Sequence, residues 1–160
     1  GNASEIAALA GAGAGGRGVD STDEVDAVLP AAIRLAQATG GVVAVSGACD
    51  AVVAVQADAV RIARVGGGHA LMPRVVGTGC ALGALVAAYL AAGRALGGEC
   101  LAGDFAATVA AHAHFALAGS AAGAQAAGPG SFHVAFIDAL HALKSGDLAR
   151  ADVQLETRAL

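Results

Sequence analysis

The segment Val75-Val76-Gly77-Thr78-Gly79-Cys80 has the residue types of a turn that grips an anion. Two glycines flanking Thr78 let the main chain approach a ligand closely, and small apolar residues of a helix follow at once. The first N–H groups of such a helix have no partner inside it and lie at the positive end of its dipole, which suits a phosphate. Cys80 falls in that first turn, where the dipole favours a thiolate. The plainer alternative is a Gly-rich helix entry with a buried, inert cysteine, and local chemistry leaves both open.

Asn2-x-x-Glu5 also has two readings. As a capping box it closes the start of a helix and needs no further role. As a site, it puts a carboxylate in a first helical turn, able to hold a hydrated Mg²⁺ beside phosphates. Gly11-x-Gly13-x-x-Gly16 has the dinucleotide spacing but follows a helix, whereas that fingerprint must follow a strand. Lys144 is the only lysine and no Gly-x-x-x-x-Gly-Lys-Ser/Thr occurs, which excludes a P-loop. His112 and His114, two apart on a helix, point to different faces and suit structural roles better than shared metal ligation. His69, beside three glycines, carries no assignment.

The elements that must position these residues are legible from patterning. Residues 2–10 read as a short helix capped by Asn2, and 11–18 as a Gly-rich loop. Asp20-Ser21-Thr22-Asp23 caps a helix whose apolar stripe is Val25, Val28, Leu29, Ala32, Ile33 and Ala36, kinked or restarted at Pro30. Residues 42–46 form a buried strand, and 51–56 and 60–64 two more. Helices follow from 78 to about 92, from 104 to about 127 and from 131 to 143, the last with Phe132, Phe136, Ala139, Leu140 and Leu143 on one face. With no repeat or composition break, residues 1–160 read as one domain of α/β class.

At 160 residues and 56% hydrophobic with 14% charged, the chain can bury a core and is not disordered. A net charge of −4 with nine scattered basic residues gives no nucleic-acid footprint. Three widely spaced cysteines suggest neither a disulfide framework nor a zinc site, and a reducing cytoplasm fits them. Arg74 and Arg94 bracket 19 uncharged residues. Gly77 and Gly79 are expected to stay outside the helix, leaving about 15 residues and roughly 22 Å, short of a bilayer. A buried core helix is expected, not a membrane span.

Four stretches, in order and spacing, resemble hydroxyethylthiazole kinases along nearly the whole chain. They are Gly1-Asn2-Ala3-Ser4-Glu5-Ile6, Gly15-Gly16-Arg17-Gly18-Val19-Asp20-Ser21-Thr22-Asp23, Val76-Gly77-Thr78-Gly79-Cys80-Ala81-Leu82 and Gly128-Pro129-Gly130-Ser131-Phe132. The resemblance implies a ribokinase-like α/β fold with a central, mostly parallel sheet flanked by helices. Because the family's chain is considerably longer, it also implies that N-terminal strands, much of the thiazole pocket and an ATP-contacting arginine precede Gly1. The implied activity is phosphorylation of 4-methyl-5-(2-hydroxyethyl)thiazole with MgATP, by a homotrimer that binds thiazole between subunits.

Specific roles follow from the same resemblance. Glu5 would hold Mg²⁺ through water, Ser46 would contact ATP, and Gly77 would lie against the alcohol. The amides of Thr78, Gly79 and Cys80 would form the anion hole, with Cys80 the catalytic base. Hydroxymethylpyrimidine and phosphomethylpyrimidine kinases share the Gly-Thr-Gly-Cys loop, but Gly16-Arg17-Gly18-Val19-Asp20 favours the thiazole enzyme. A non-catalytic fragment of such a kinase stays open.

Overall fold

Strands joined by short turns cannot lie parallel, because a parallel pair needs a crossover of a dozen or more residues. In the computed structural model, which describes residues 1–11, 21–97 and 100–160, strand β1 (Val42–Val45) is separated from β2 (Asp50–Gln56) by residues 46–49. Only Ala57 and Asp58 separate β2 from β3 (Ala59–Val65), with Ala57 at φ 52°. All three pair antiparallel, and β4 (Val153–Ala159) adds antiparallel to β3, giving the order β1-β2-β3-β4. The mostly parallel sheet expected from the resemblance is therefore corrected to an antiparallel meander. Parallel pairing survives among the described residues only as the isolated Asn2–Ser46 bridge.

Helices cover both faces. Helix α1 (Ala3–Leu9) and α2 (Ser21–Thr39) pack one face, where Ile6, Val25, Val28, Leu29, Ala32 and Ala36 meet Val43, Val45, Val53 and Ile62. The expected stripe of α2 is the buried one, with Ile33 at its margin, and Pro30 stands inside the helix without ending it. The Gly-rich stretch and the Asp20 cap fall on residues 12–20, outside the described residues, as do the side chains of 21–23. Helix α4 (Leu101–Gly123) packs the other face, where Phe105 joins Val52, Ala54 and Ala63. Arg61 lies 4.6 Å over the Phe105 ring.

Helix α4 then runs on past the sheet and becomes the centre of a second core. Its Phe115, Ala118 and Ala122 meet Phe132 and Phe136 of α5 (Pro129–Ala142). The Phe115 and Phe136 rings are 4.9 Å apart and nearly perpendicular, a favourable aromatic geometry. Helix α3 (Thr78–Ala95) lies against α4, with Leu82 and Leu85 packed into this core. Arg94 pairs with Asp104 at 2.8 Å, and Tyr89 hydroxyl bonds His114 Nδ1 at 2.8 Å.

The expectation of a fully buried α3 is corrected. The helix begins at Thr78 and includes Gly79, so it has 18 residues and is apolar and long enough to cross a membrane by length and composition, with mean hydropathy 1.3. None of its residues is buried, because it has neighbours on one side only. Gly79, Cys80, Gly83, Ala84, Ala87 and Ala88 face outward.

Between β3 and α3, the chain lies directly on α4 at Gly67, Gly68, His69 and Met72. Gly67 and Gly68 take φ of 109° and 80°, conformations that side-chain-bearing residues avoid. A Cβ on Gly119 would lie 2.6 Å from Met72 Sδ and 3.0 Å from Gly68 Cα, so loop and helix touch backbone to backbone. Gly119→Ala is expected to destabilise the protein by about 1–3 kcal/mol, since the Gly68 main chain cannot yield as a side chain would. Gly93→Ala, whose Cβ would meet Ala107 Cβ at an ordinary 3.6 Å, should be neutral or stabilising by up to about 1 kcal/mol. Urea unfolding of the two variants checks the contrast.

Candidate active site

The anion turn is built from the loop upward. Gly66 N–H bonds Asp152 O at 2.9 Å, and Gly68 N–H bonds both Ala116 O and Ser120 Oγ at 3.0 Å. His69 stacks on Phe132 at 5.7 Å, and a Cβ on Gly123 would collide with its ring. A single 3-10 turn, Met72–Arg74, follows. Gly77 then takes φ 92° and caps α3.

Thr78 has a role that the sequence reading missed. Its hydroxyl turns inward to Val75 O at 2.7 Å and Met72 O at 3.1 Å, tying the turn to the 3-10 helix. The first helical bond joins Ala81 N–H to Gly77 O at 2.9 Å. Among the described residues, no acceptor meets the N–H of Thr78, Gly79 or Cys80. A Cβ at Gly77 or Gly79 would have nothing within 4 Å, so the turn is open on the side where those side chains would stand. Cys80 is exposed, not buried.

Asn2, Glu5 and Ser46 form a second cluster. Glu5 N–H donates to Asn2 Oδ1 at 2.9 Å and Asn2 N–H to Glu5 Oε2 at 2.8 Å, so the capping box is present in full. Ser46 N–H bonds Gly1 O at 2.9 Å, setting α1's start beside the end of β1. Glu5 is exposed and commits one oxygen to the cap. Among the described residues, no three His, Cys, Asp or Glu side chains are grouped to hold a metal. One free carboxylate oxygen fits Mg²⁺ held chiefly by water and phosphates, and does not fit an all-protein cage.

The Asn2–Glu5–Ser46 cluster lies at the end of the sheet where β1 ends and β2 begins; β3 leaves from the same end, and residues 66–76 lead from it to the Gly77–Cys80 turn. Among the described residues no hydrogen bond or ion pair joins this cluster to that turn directly. The sequence reading took His112 as structural but missed its pairing with Asp50 at the end of the sheet. Asp50 Oδ1 accepts from Gly47 N–H at 2.8 Å, and its Oδ2 meets His112 Nδ1 at 2.6 Å. The spacing Gly47-x-x-Asp50 is a local turn signal, but nothing local marks the partner 62 residues away. His114 points elsewhere, to Tyr89 and Leu140 O, as the two-residue spacing required.

Beside Ser46, a recess of about 310 Å³ is lined by Asp26, Cys49, Arg64, Gly66, Asp152 and Gln154. Arg64 pairs with Asp26 across it. Burial pushes the Cys49 thiol up, with Arg64 opposing. The recess shares the end of the sheet with the Asn2–Glu5–Ser46 cluster but includes no residue of the anion turn.

Comparison with known proteins gives a consistent result. Residues 1–146 match the hydroxyethylthiazole kinase family. The chain is 55% identical over 141 residues to a hydroxyethylthiazole kinase of Corynebacterium glutamicum, covering 88% of this chain and 50% of that one. It is 48% identical over 158 residues to one of Kineococcus radiotolerans, covering 99% and 53%. A solved hydroxyethylthiazole kinase structure from Pyrococcus horikoshii matches with TM-score 0.70 at 30% identity, over 98% of this chain and 53% of that one. The chain spans about half the length of the relatives it matches.

Thiol labelling checks the exposure pattern. At neutral pH, Cys80 and Cys100 should react with a maleimide first, both being exposed. Cys49, half-buried and with its thiolate disfavoured, should follow several-fold more slowly. Peptide mass spectrometry over a time course reads the order.

Proposed function

The chain belongs to the hydroxyethylthiazole kinase family, and from that premise we propose that it forms the phosphate-handling part of a cytoplasmic enzyme of thiamine biosynthesis and salvage. The reaction transfers the γ-phosphoryl group of ATP to the hydroxyethyl group of 4-methyl-5-(2-hydroxyethyl)thiazole. The observation that carries this reading is the turn at the head of α3: three successive amides without protein acceptors, on a turn open at Gly77 and Gly79. The relatives' names support thiazole over pyrimidine as the alcohol. A homotrimer, with thiazole between neighbouring subunits, completes the alcohol site.

Phosphoryl transfer through a loose transition state asks the protein mainly for positioning and charge stabilisation. The Thr78, Gly79 and Cys80 amides hold the equatorial oxygens of the moving group, where negative charge is spread. Thr78 hydroxyl keeps those amides aimed outward by anchoring the turn from behind. Gly77, lacking a side chain, lets the alcohol come close to the main chain. As the new P–O bond forms and the bond to ADP breaks, the hydroxyl proton passes to Cys80 Sγ. Ser46 hydroxyl bonds ATP. Glu5 would hold Mg²⁺ through water while its other oxygen keeps the cap, and the bound ion neutralises phosphate charge.

The amides contribute more than the base in this scheme. In the natural chain, Gly79→Val places a side chain on the open side of the turn without touching protein and should lower kcat by about 10²–10³-fold or more. Cys80→Ala should cost less, up to about 10²-fold. A folded Cys80→Ala that is orders of magnitude slower than Gly79→Val would reverse the assignment. An ATP-coupled assay with thiazole and pyrimidine alcohols tests the substrate. Absence of ADP binding and of Mg²⁺-dependent turnover with either would mark a non-catalytic fragment.

A further inference from the structure

The buried pair His112–Asp50 has no role in the scheme above. Its side chains are 3% and 15% exposed, and His112 and Thr108 are the two buried polar residues among the described ones in an otherwise apolar core. Burying such groups is costly unless every bond is made, and a well-packed apolar pair is often as stable or better. Stability alone does not explain it.

The geometry shows what the pair touches. Asp50 divides its carboxylate, one oxygen to the His112 ring at 2.6 Å and the other to Gly47 N–H at 2.8 Å. A carboxylate only accepts, so Nδ1–H of His112 is the donor. Fixed at both oxygens, Asp50 pins the 46–49 turn to α4. Ser46 is thereby held from both sides, its own N–H by Gly1 O at 2.9 Å and the next amide by Asp50. Ser46 hydroxyl has no partner among the described residues.

The same ridge of α4 reaches the second cluster. His112, Ala116 and Ser120 follow at four-residue spacing and so lie on one face. Ala116 O and Ser120 Oγ both accept from Gly68 N–H, and Ser120 hydroxyl donates to Gly68 O at 3.2 Å. One helix face thus holds the Ser46 turn at one point and the lead-in to the anion turn two helical turns further on.

We propose that His112 is a positioning residue for the nucleotide, acting through Asp50 to present Ser46 hydroxyl to ATP in register with the amides of α3. This rests on the kinase reading, in which Ser46 contacts ATP. The test is steady-state kinetics of the natural chain with MgATP and the thiazole alcohol, beside thermal denaturation. His112→Phe keeps a ring and loses the bond; it should raise KM for ATP about ten-fold while KM for the alcohol stays within about two-fold. Asp50→Ala should behave alike, whereas Asp50→Asn, which keeps an acceptor for Gly47, should restore KM to within about three-fold of wild type.

A double-mutant cycle with Ser46→Ala separates positioning from packing: in that background His112→Phe should add almost nothing to KM for ATP. Should His112→Phe not fold, Asp50→Ala in the same cycle gives the answer. A folded variant with unchanged KM for ATP, or effects that simply multiply with Ser46→Ala, overturns the positioning role and leaves the kinase reading standing. Wild type that turns over neither alcohol overturns both.

Discussion

The approach of the 66–68 main chain to α4 at Gly119 is the contact on which the proposed active site depends. It places Gly68 N–H within reach of Ala116 O and Ser120 Oγ, and those bonds fix where the chain sets out toward Gly77. Backbone can meet backbone only where side chains are absent, so glycines stand on both partners. This also accounts for the composition. A chain that positions main chain by direct helix–loop contact needs Gly and Ala, and its buried aromatics are Phe105, Phe115, Phe132 and Phe136 beneath. The Gly68 hydrogen bonds and this contact then fix the loop on the helix.

In the proposed mechanism that fixing matters, because the chemistry falls to the main chain. Amides at a helix start act by orientation, and their value depends on being aimed before the phosphate arrives. The inward hydroxyl of Thr78 serves that end: it satisfies carbonyls behind the turn and does not compete for the anion. The capping box at α1 follows the same logic. Asn2 and Glu5 satisfy each other's amides, which lets α1 start abruptly beside Ser46 and still leaves one carboxylate oxygen for an ion.

Local features were legible and non-local ones were not. The α2 and α5 stripes, the Asn2 cap and the amide turn each rest on residues a few positions apart, and each stands where the spacing put it. The sheet failed for a different reason. Resemblance suggested parallel strands, although two residues between 56 and 59 permit only a hairpin. Strand β4 went unread, since its exposed, alternating Gln154, Glu156 and Arg158 have the look of a surface tail until β3 is there to pair with it. The burial of α3 was overestimated because hydropathy reports composition and not how many sides of a helix have neighbours. Asp50 shows only a turn signal with Gly47 and His112 only a structural histidine, and their pairing carries no pattern until tertiary structure joins them.

Among the described residues the two clusters share no bond, so in the proposed kinase the joining step would fall to the ligand. In that reading a nucleotide held by Ser46 at one point and by the α3 amides at its terminal phosphate would span a distance that the protein alone leaves open. Its affinity then depends on how accurately that distance is set beforehand, since any mismatch must be taken up by straining the ligand or moving a packed helix. A single rigid element touching both points meets the requirement better than two independent supports, whose errors would add. Helix α4 is that element, packed on the sheet at Phe105, on the Ser46 turn through His112, and on the loop at Gly119. The order of contacts along one helix becomes the spacing of the site.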